Sequence, residues 1–258
     1  MRSSFRSKNG RSPPGSRYYP WMEKLRIAAV ADIHYGKHSR GELHDTFADI
    51  SQEADVLLLC GDLTDYGLAE EAEELAADLR SAVRVPMIGV LGNHDFESSE
   101  AKLVRQVLDR AGVAMLDGEA VEIDGVGFAG VCGFGGGFGR RMLNAWGEPL
   151  IKQFVQEALD QALRLEQALG KLGTERRVAV LHYSPIRGTV AGEDPEIFPF
   201  LGSSRLEEPI NRFRVNAVFH GHAHNGVGDG TTSTGIPVYN VSLPVLRRTG
   251  ASFRIIEL

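Results

Sequence analysis

The residues able to do chemistry sit in five short motifs, each directly after an apolar run. Asp32-Ile33-His34 follows LRIAAVA, Gly61-Asp62-Leu63-Thr64-Asp65 follows DVLLLC, and Gly92-Asn93-His94-Asp95 follows PMIGVL. RVAVL runs into His182, and VNAVFH runs into Gly221-His222-Ala223-His224. Five of the eight histidines lie in these motifs. Carboxylate, amide and imidazole without cysteine suit borderline divalent ions such as Mn, Fe, Co, Ni or Zn. Asp32/His34 and His222/His224 are i, i+2 pairs, so at a strand end both members can reach one ion. With Asp62, Asn93 and His182 they make seven candidate metal ligands. Seven is too many for one tetrahedral site and suits two ions sharing a bridging carboxylate. Each motif alone has a bland reading, since Gly-Asp and Gly-Asn-His-Asp are ordinary turn sequences. Folding needs alone do not put all five in order behind apolar runs.

The elements that must position these residues are short strands alternating with helices. Strands are expected at 25–31, 55–60, 86–91, 177–181, 215–219, 236–241 and 252–257. The first five are nearly continuous in apolar residues, as in strands buried on both faces. Helices are expected near 41–52, 68–82, 98–111, 149–170 and 204–213. The last opens on Ser204-Arg205-Leu206-Glu207, a capping-box pattern. In the longest, Leu150, Phe154, Ala158, Ala162, Leu165 and Leu169 share a face and read as core. Alternation at 119–123 and 126–132 around Asp124-Gly125 predicts a hairpin. The pattern implies α/β architecture with mostly parallel pairing and one domain over 23–258. In open α/β sheets, ligands bind beyond the carboxyl ends of the strands, where all five motifs fall.

Charge narrows the function further. Residues 1–21 carry five basic residues and no acid, leaving 23 basic against 34 acidic residues in the rest, a net of −11. Backbone binding to nucleic acid depends on Lys and Arg neutralising phosphates, so no nucleic-acid partner is expected. The basic tail over 1–22, rich in Ser, Arg, Pro and Gly, reads as disordered or as an upstream start before Met22. It lacks the apolar core of a secretory signal, and no run approaches the length of a membrane span. Cys60 and Cys132 are too few for a disulfide framework and read as reduced residues of a cytoplasmic protein.

The motif series D-x-H, G-D, G-N-H-D, H and G-H-x-H resembles the calcineurin-like metallophosphoesterase family from Asp32 to His224. The resemblance implies a four-layer α/β/β/α sandwich, two mixed sheets flanked by helices. It implies that Asp32, His34, Asp62 and His224 hold one divalent ion. Asp62, Asn93, His182 and His222 would hold the other, with Asp62 bridging, and no position departs from the family's ligand pattern. Two ions roughly 3.5–4 Å apart can bind phosphate oxygens, acidify a water and stabilise attacking and leaving oxygens. The expected reaction is in-line attack of a hydroxide held between the ions on a phosphoester or phosphoanhydride. His94, next to a ligand but outside the set, is the expected general acid. Asp95 is expected to orient it through the other ring nitrogen.

Substrate choice is less constrained, because fold does not select it. Phosphoprotein phosphatases of the family carry an arginine in GDxVDRG, where this chain has Tyr66 in GDLTDYG and ends its third motif on Asp95 rather than Glu. What remains is a small-molecule phosphate substrate. The series resembles both the bacterial cyclic-nucleotide phosphodiesterase branch and the nucleotide-sugar-lipid (UDP-sugar-lipid type) pyrophosphatases. A non-catalytic metal-binding scaffold of the same fold is the third reading, although such proteins usually lose ligands and none is missing here. Two segments are candidates for specificity. In 133–141 (GFGGGFGRR), Phe134 and Phe138 could stack on a base while Arg140 and Arg141 take a phosphate. Residues 184–203 form a long loop of the kind that often serves as a lid. Tyr35 and Tyr66 read equally as pocket walls or packing, His38 and His44 as solvent-facing, and His220 as a packed histidine.

Overall fold

Continuous apolar runs become the central strands of two sheets in the computed structural model, which describes residues 24–258. The expectations for the basic tail therefore lie outside the described residues. The strands are β1 (Arg26–Val30), β2 (Val56–Cys60), β3 (Met87–Val90), β4 (Val113–Met115), β5 (Glu119–Ile123), β6 (Val126–Val131), β7 (Arg176–Leu181), β8 (Ala217–His220), β9 (Asp229–Thr231), β10 (Pro237–Asn240) and β11 (Arg254–Glu257). The helices are α1 (His44–Glu53), α2 (Ala69–Ala82), α3 (Ala101–Arg110), α4 (Pro149–Lys171), α5 (Phe198–Leu201), α6 (Ser204–Phe213) and α7 (Leu243–Arg248).

One sheet has the order β11-β1-β2-β3-β4 and the other β5-β6-β7-β8-β10-β9. Only β11, β5 and β9 run antiparallel to their neighbours, so both sheets are mixed around a parallel centre. Alternation along the strands of the second sheet shows how the layers stack. Phe128, Val178, Val180 and Phe219 join the core shared with Leu57, Val90 and Leu116 of the first half. Ala129, Val131, Ala179, Leu181 and Val218 face the other way, against Leu165 and Leu169 of α4 and Leu206 and Ile210 of α6. Helices α1 to α3 lie with the first sheet and α4 and α6 with the second. The result is the expected α/β/β/α sandwich of two mixed sheets between helices.

The β5–β6 hairpin turns on Asp124 (φ 48°) and Gly125 (φ 76°), with Ile123 opposite Val126. Two consecutive positive φ values make the two-residue turn that suits strand twist. Elsewhere local details differ from expectation. Ser203, one residue earlier than expected, caps α6 by accepting from the Arg205 amide at 3.3 Å. Glu207 instead accepts from the Ser233 amide, 2.6 Å away, so it ties the helix to the β9–β10 turn. The buried face of α4 is Val155, Ala158, Gln161, Leu165, Ala168 and Leu169, while Leu150 is 76% exposed and Ala162 only half-buried. Gln161 sits inside because its Oε1 accepts from the Gly133 amide at 3.1 Å, a polar demand that apolar periodicity cannot register. The loop at 184–203 is built rather than structureless. It contains α5 and two short 3-10 turns, and Ser184 pairs with Gly202.

Candidate metal centre

All seven candidate ligands lie beyond the carboxyl ends of β1, β2, β3, β7 and β8, so each sheet supplies part of one site. Asp32, His34, Asp62 and His224 each offer an atom within 4.8 Å of the others'. Asp62, His182 and His222 form a second such group. Asn93 joins it, with Oδ1 at 2.9 Å from His182 Nε2. Asp62 is the member shared by both. Its Oδ1 accepts from the His94 amide at 2.8 Å and lies 3.3 Å from His182 Nε2, while Oδ2 is 4.0 Å from His34 Nε2. Asp32 accepts from the His222 amide at 3.0 Å and faces His224 Nε2 at 2.8 Å.

The donor set fits cations. Both ring nitrogens of His34 are buried without a hydrogen-bond partner, an arrangement that is unfavourable unless another group satisfies them. His182 donates Nδ1–H to the Cys60 carbonyl at 3.0 Å. That fixes its tautomer, as the partner of one ring nitrogen does for histidine. Its Nε2 then turns a lone pair toward the oxygens of Asn93 and Asp62. His222 donates Nε2–H to the Phe200 carbonyl at 3.1 Å, leaving Nδ1 as the nitrogen free to ligate. A proton or a cation at His182 Nε2 would satisfy these converging acceptors.

Proton affinities carry the same message. Burial disfavours charge on His182, but the Asp62 carboxylate outweighs it and pushes the ring up to about 9. Asp62 is in turn held below the usual carboxylate range against its own burial. Burial and the charge of His182 push His222 down to about 4. The hydrogen bond to Asp32 raises His224, while burial lowers His34. A cation entering between Asp62 and His182 must expel the proton on Nε2. Metal affinity should therefore rise with pH up to about 9, by about tenfold per pH unit for each proton displaced. Competition titrations at three pH values measure this, and a flat profile contradicts it.

Backbone geometry around the site is strained in one consistent way. Asp32, His34, Asp62 and His222 have φ of 56°, 45°, 49° and 69°, the left-handed region that non-glycine residues rarely enter. Each such residue costs about 1–3 kcal/mol and persists only where its surroundings over-determine it. The glycines of the motifs make room for these turns. A Cβ on Gly92 would overlap the amide nitrogen and Oδ1 of Asp62, and one on Gly221 would overlap Oδ2 of Asp32. Gly92→Ala should therefore displace Asp62, destabilise the fold by about 1–3 kcal/mol and lower metal content. Thermal melts and elemental analysis test this, and wild-type values for both would refute it.

The structure corrects one catalytic assignment. Asp95 does not orient His94. Its buried carboxylate accepts from the amides of Gly92 (2.8 Å), Leu63 (3.1 Å) and Thr64 (2.8 Å) and from the Thr64 hydroxyl (2.6 Å). Burial, then the charge of Asp62, pushes it up to about 6. Asp95 thus clasps the second motif to the third. His94 is oriented instead by the Asp65 carbonyl, which accepts from Nδ1 at 2.7 Å. Asp65 was visible in Gly-Asp-Leu-Thr-Asp but carried no assignment, although its carboxylate also lies 3.8 Å from His34 Nδ1.

The Gly-rich loop is also revised. Phe134 packs on Phe154 (centroids 4.8 Å) and Tyr183 (5.9 Å), and Tyr183 packs on His222 (4.4 Å). Phe138 packs edge-on against Phe198. Phe134 and Tyr183 thus line up behind His222, and both phenylalanines are engaged in packing within the fold. Arg140 and Arg141 remain exposed in a short 3-10 turn. Tyr35 is buried, its hydroxyl donating to Asp78 at 2.7 Å, whereas Tyr66 is 58% exposed. His38 is exposed and His44 half-buried. His220 is fully buried, with Nε2 2.8 Å from the Thr189 hydroxyl. Arg248 of α7, unforeseen from sequence, donates to the carbonyls of His224 (2.7 Å) and Gly226 (2.6 Å) and fixes the last motif.

The model of the calcineurin-like phosphoesterase family matches residues 25–226, which contain every candidate ligand. The chain belongs to the calcineurin-like phosphoesterase family. No curated protein matches the sequence. Among solved structures, a Thermus thermophilus protein is 16% identical with a TM-score of 0.53, over 91% of this chain and 99% of its own. A proposed 5′-nucleotidase from Staphylococcus aureus, solved with α-ketoglutarate, is 14% identical with a TM-score of 0.53, over 84% of this chain and 48% of its own. GAP50, the anchor in the inner membrane complex of Plasmodium, is 11% identical with a TM-score of 0.52, over 86% and 73%. At these identities the likeness is one of fold. No helix among the described residues is long and apolar enough to cross a membrane.

Proposed function

We propose that this calcineurin-like phosphoesterase holds two divalent ions and hydrolyses a phosphoester, most readily a phosphodiester, of a small molecule. The observation that carries this reading is Asp62, the one carboxylate common to two ligand groups. Asp32, His34, Asp62 and His224 would hold one ion, and Asp62, Asn93, His182 and His222 the other. Mn, Fe, Co, Ni or Zn all suit this donor set. When bound, such a pair supplies Lewis acidity to the phosphate oxygens and to the attacking water. The chain's own work falls to His94. With Nδ1–H donated to Asp65, its Nε2 is the free nitrogen, and in the imidazolium form it gives that proton to the leaving oxygen. One P–O bond forms to water as the other breaks, and water's proton leaves to solvent. Arg140 and Arg141, exposed cations on an acidic body, are proposed to meet the anionic substrate. Buried, free Cys60 and Cys132 support a cytoplasmic setting.

Metal-loaded protein should turn over a phosphodiester in a panel that also includes phosphomonoesters, cyclic nucleotides and nucleoside diphosphate conjugates with added Mn. Absence of turnover across the panel, in protein shown to carry metal, would refute the reading. Chelation should lower the melting temperature by about 5–10 °C, since ligand at 100 times Kd adds about 2.7 kcal/mol and each kcal/mol moves a chain of this size by about 2–4 °C. An unchanged melt contradicts metal binding.

A further inference from the structure

We infer that a cavity beside the centre, between α3, α4 and the ends of β3, β4 and β6, receives an apolar group on the leaving-group side of the substrate; this rests on the proposed phosphoesterase reading. The cavity has a volume of about 310 Å³, at the lower end of the roughly 300–1,000 Å³ typical of small-ligand sites. Its walls include Leu91, Phe96, Met115, Leu116 and Cys132. Met115 and Leu116 are buried, whereas Phe96 is 52% exposed, an apolar ring left standing at an opening. An apolar recess beside a charged centre is the usual build of a site that binds one end of a ligand and reacts at the other.

Three links join this cavity to the centre. Leu91 is followed by Gly92, which packs directly on Asp62 and on the His182 ring. Phe96 closes the 3-10 turn that begins at His94, so the wall of the cavity and the proposed acid are one rigid turn. The Cys132 carbonyl accepts from the His182 amide at 2.9 Å, and its thiol is raised by burial and then by the charges of Asp62 and Asp95. The lining carries three cations, Lys102, Arg105 and Arg164, against two acids, Asp117 and Glu157, the latter accepting from Gln161. Arg105 and Arg164 are paired with Glu119 and Asp117, and Lys102, a further lining residue, has no ion-pair partner among the described residues. The volume suits a group of one or two rings or a branched alkyl chain, not a long lipid tail. Because the cavity adjoins the turn that carries His94, the group it holds is on the oxygen that leaves.

The test uses methyl phosphodiesters of phenol, 4-tert-butylphenol and 2-naphthol, leaving groups of similar basicity, with the metal-loaded full chain. kcat/KM should rise at least about tenfold from phenyl to naphthyl, the scale expected for burying an extra ring. Ala101→Phe, which adds a ring at the cavity wall, should bring the naphthyl-to-phenyl ratio within each preparation close to one. Phe96→Ala, at an exposed position, should reduce the ratio without threatening the fold. Calorimetric binding of the corresponding aryl methylphosphonates should show the same ranking. A flat series in active wild type, or a ratio that survives both substitutions, overturns the inference. Cavity-dependent phosphonate binding without turnover of any ester would instead uphold the binding site and refute the phosphoesterase reading.

Discussion

Asp62→Ala should strip metal from both halves of the site and abolish turnover, and it should do so more completely than loss of any other single ligand. The carboxylate takes part in two of the candidate ligand groups, so its removal would leave neither proposed ion with its full set. Losing even an outer-shell partner typically costs 10–100-fold in affinity or activity, and a shared ligand should exceed that for each ion. The substitution also leaves the buried His182 ring and the His94 amide without the oxygen they face. The protein should therefore retain less than one ion per chain by elemental analysis. Asp62→Asn keeps the shape and the acceptor for His94 but not the charge, and should recover folding without recovering metal. Full occupancy in either variant would sink the shared-ligand assignment.

His94→Ala should separate metal binding from chemistry. The ring lies beside the ligands, 4.5 Å centroid to centroid from His34, but its Nδ1 is committed to the Asp65 carbonyl. The backbone amide that holds Asp62 survives the substitution. Metal content should stay near wild type while kcat falls by about 10²–10⁴, the usual worth of a positioned general acid. The defect should shrink for leaving groups that need no proton, so p-nitrophenyl esters should lose less than alkyl esters. Equal losses on both would make His94 a binding residue rather than an acid.

Much of the fold was legible because the informative residues obey simple periodicities. Strands buried on both faces, such as β2 and β3, announce themselves as unbroken apolar runs, and the Asp124-Gly125 turn specifies its hairpin. What escaped is short or polar. Strand β4 has three residues and β9 reads Asp-Gly-Thr, so neither offers a period to detect; both exist because a neighbouring strand supplies hydrogen bonds. Helix α7 begins at Leu243-Pro244 and spans six residues, too short for an amphipathic stripe. The positions of the seven candidate ligands were legible because their types are rare behind apolar runs. Roles that depend on where a side chain turns were not. Asp95 follows His94 in sequence, yet the 3-10 turn points it into the loop at Leu63 and Thr64. Phe134 and Phe138 sit in a glycine-rich stretch that suggests openness, but Phe154 and Tyr183 pack on the first and Phe198 on the second.

The hydrogen bond from the His222 amide to Asp32 spans 190 residues of chain. The earliest and latest motifs of the site therefore meet only when both sheets have closed on one another. The first sheet's motifs brace one another through Asp95, but the contact of Asp32 with the last motif requires β8 to be in place. An ion held there would act as a rivet between the layers, tying the two halves of the chain together.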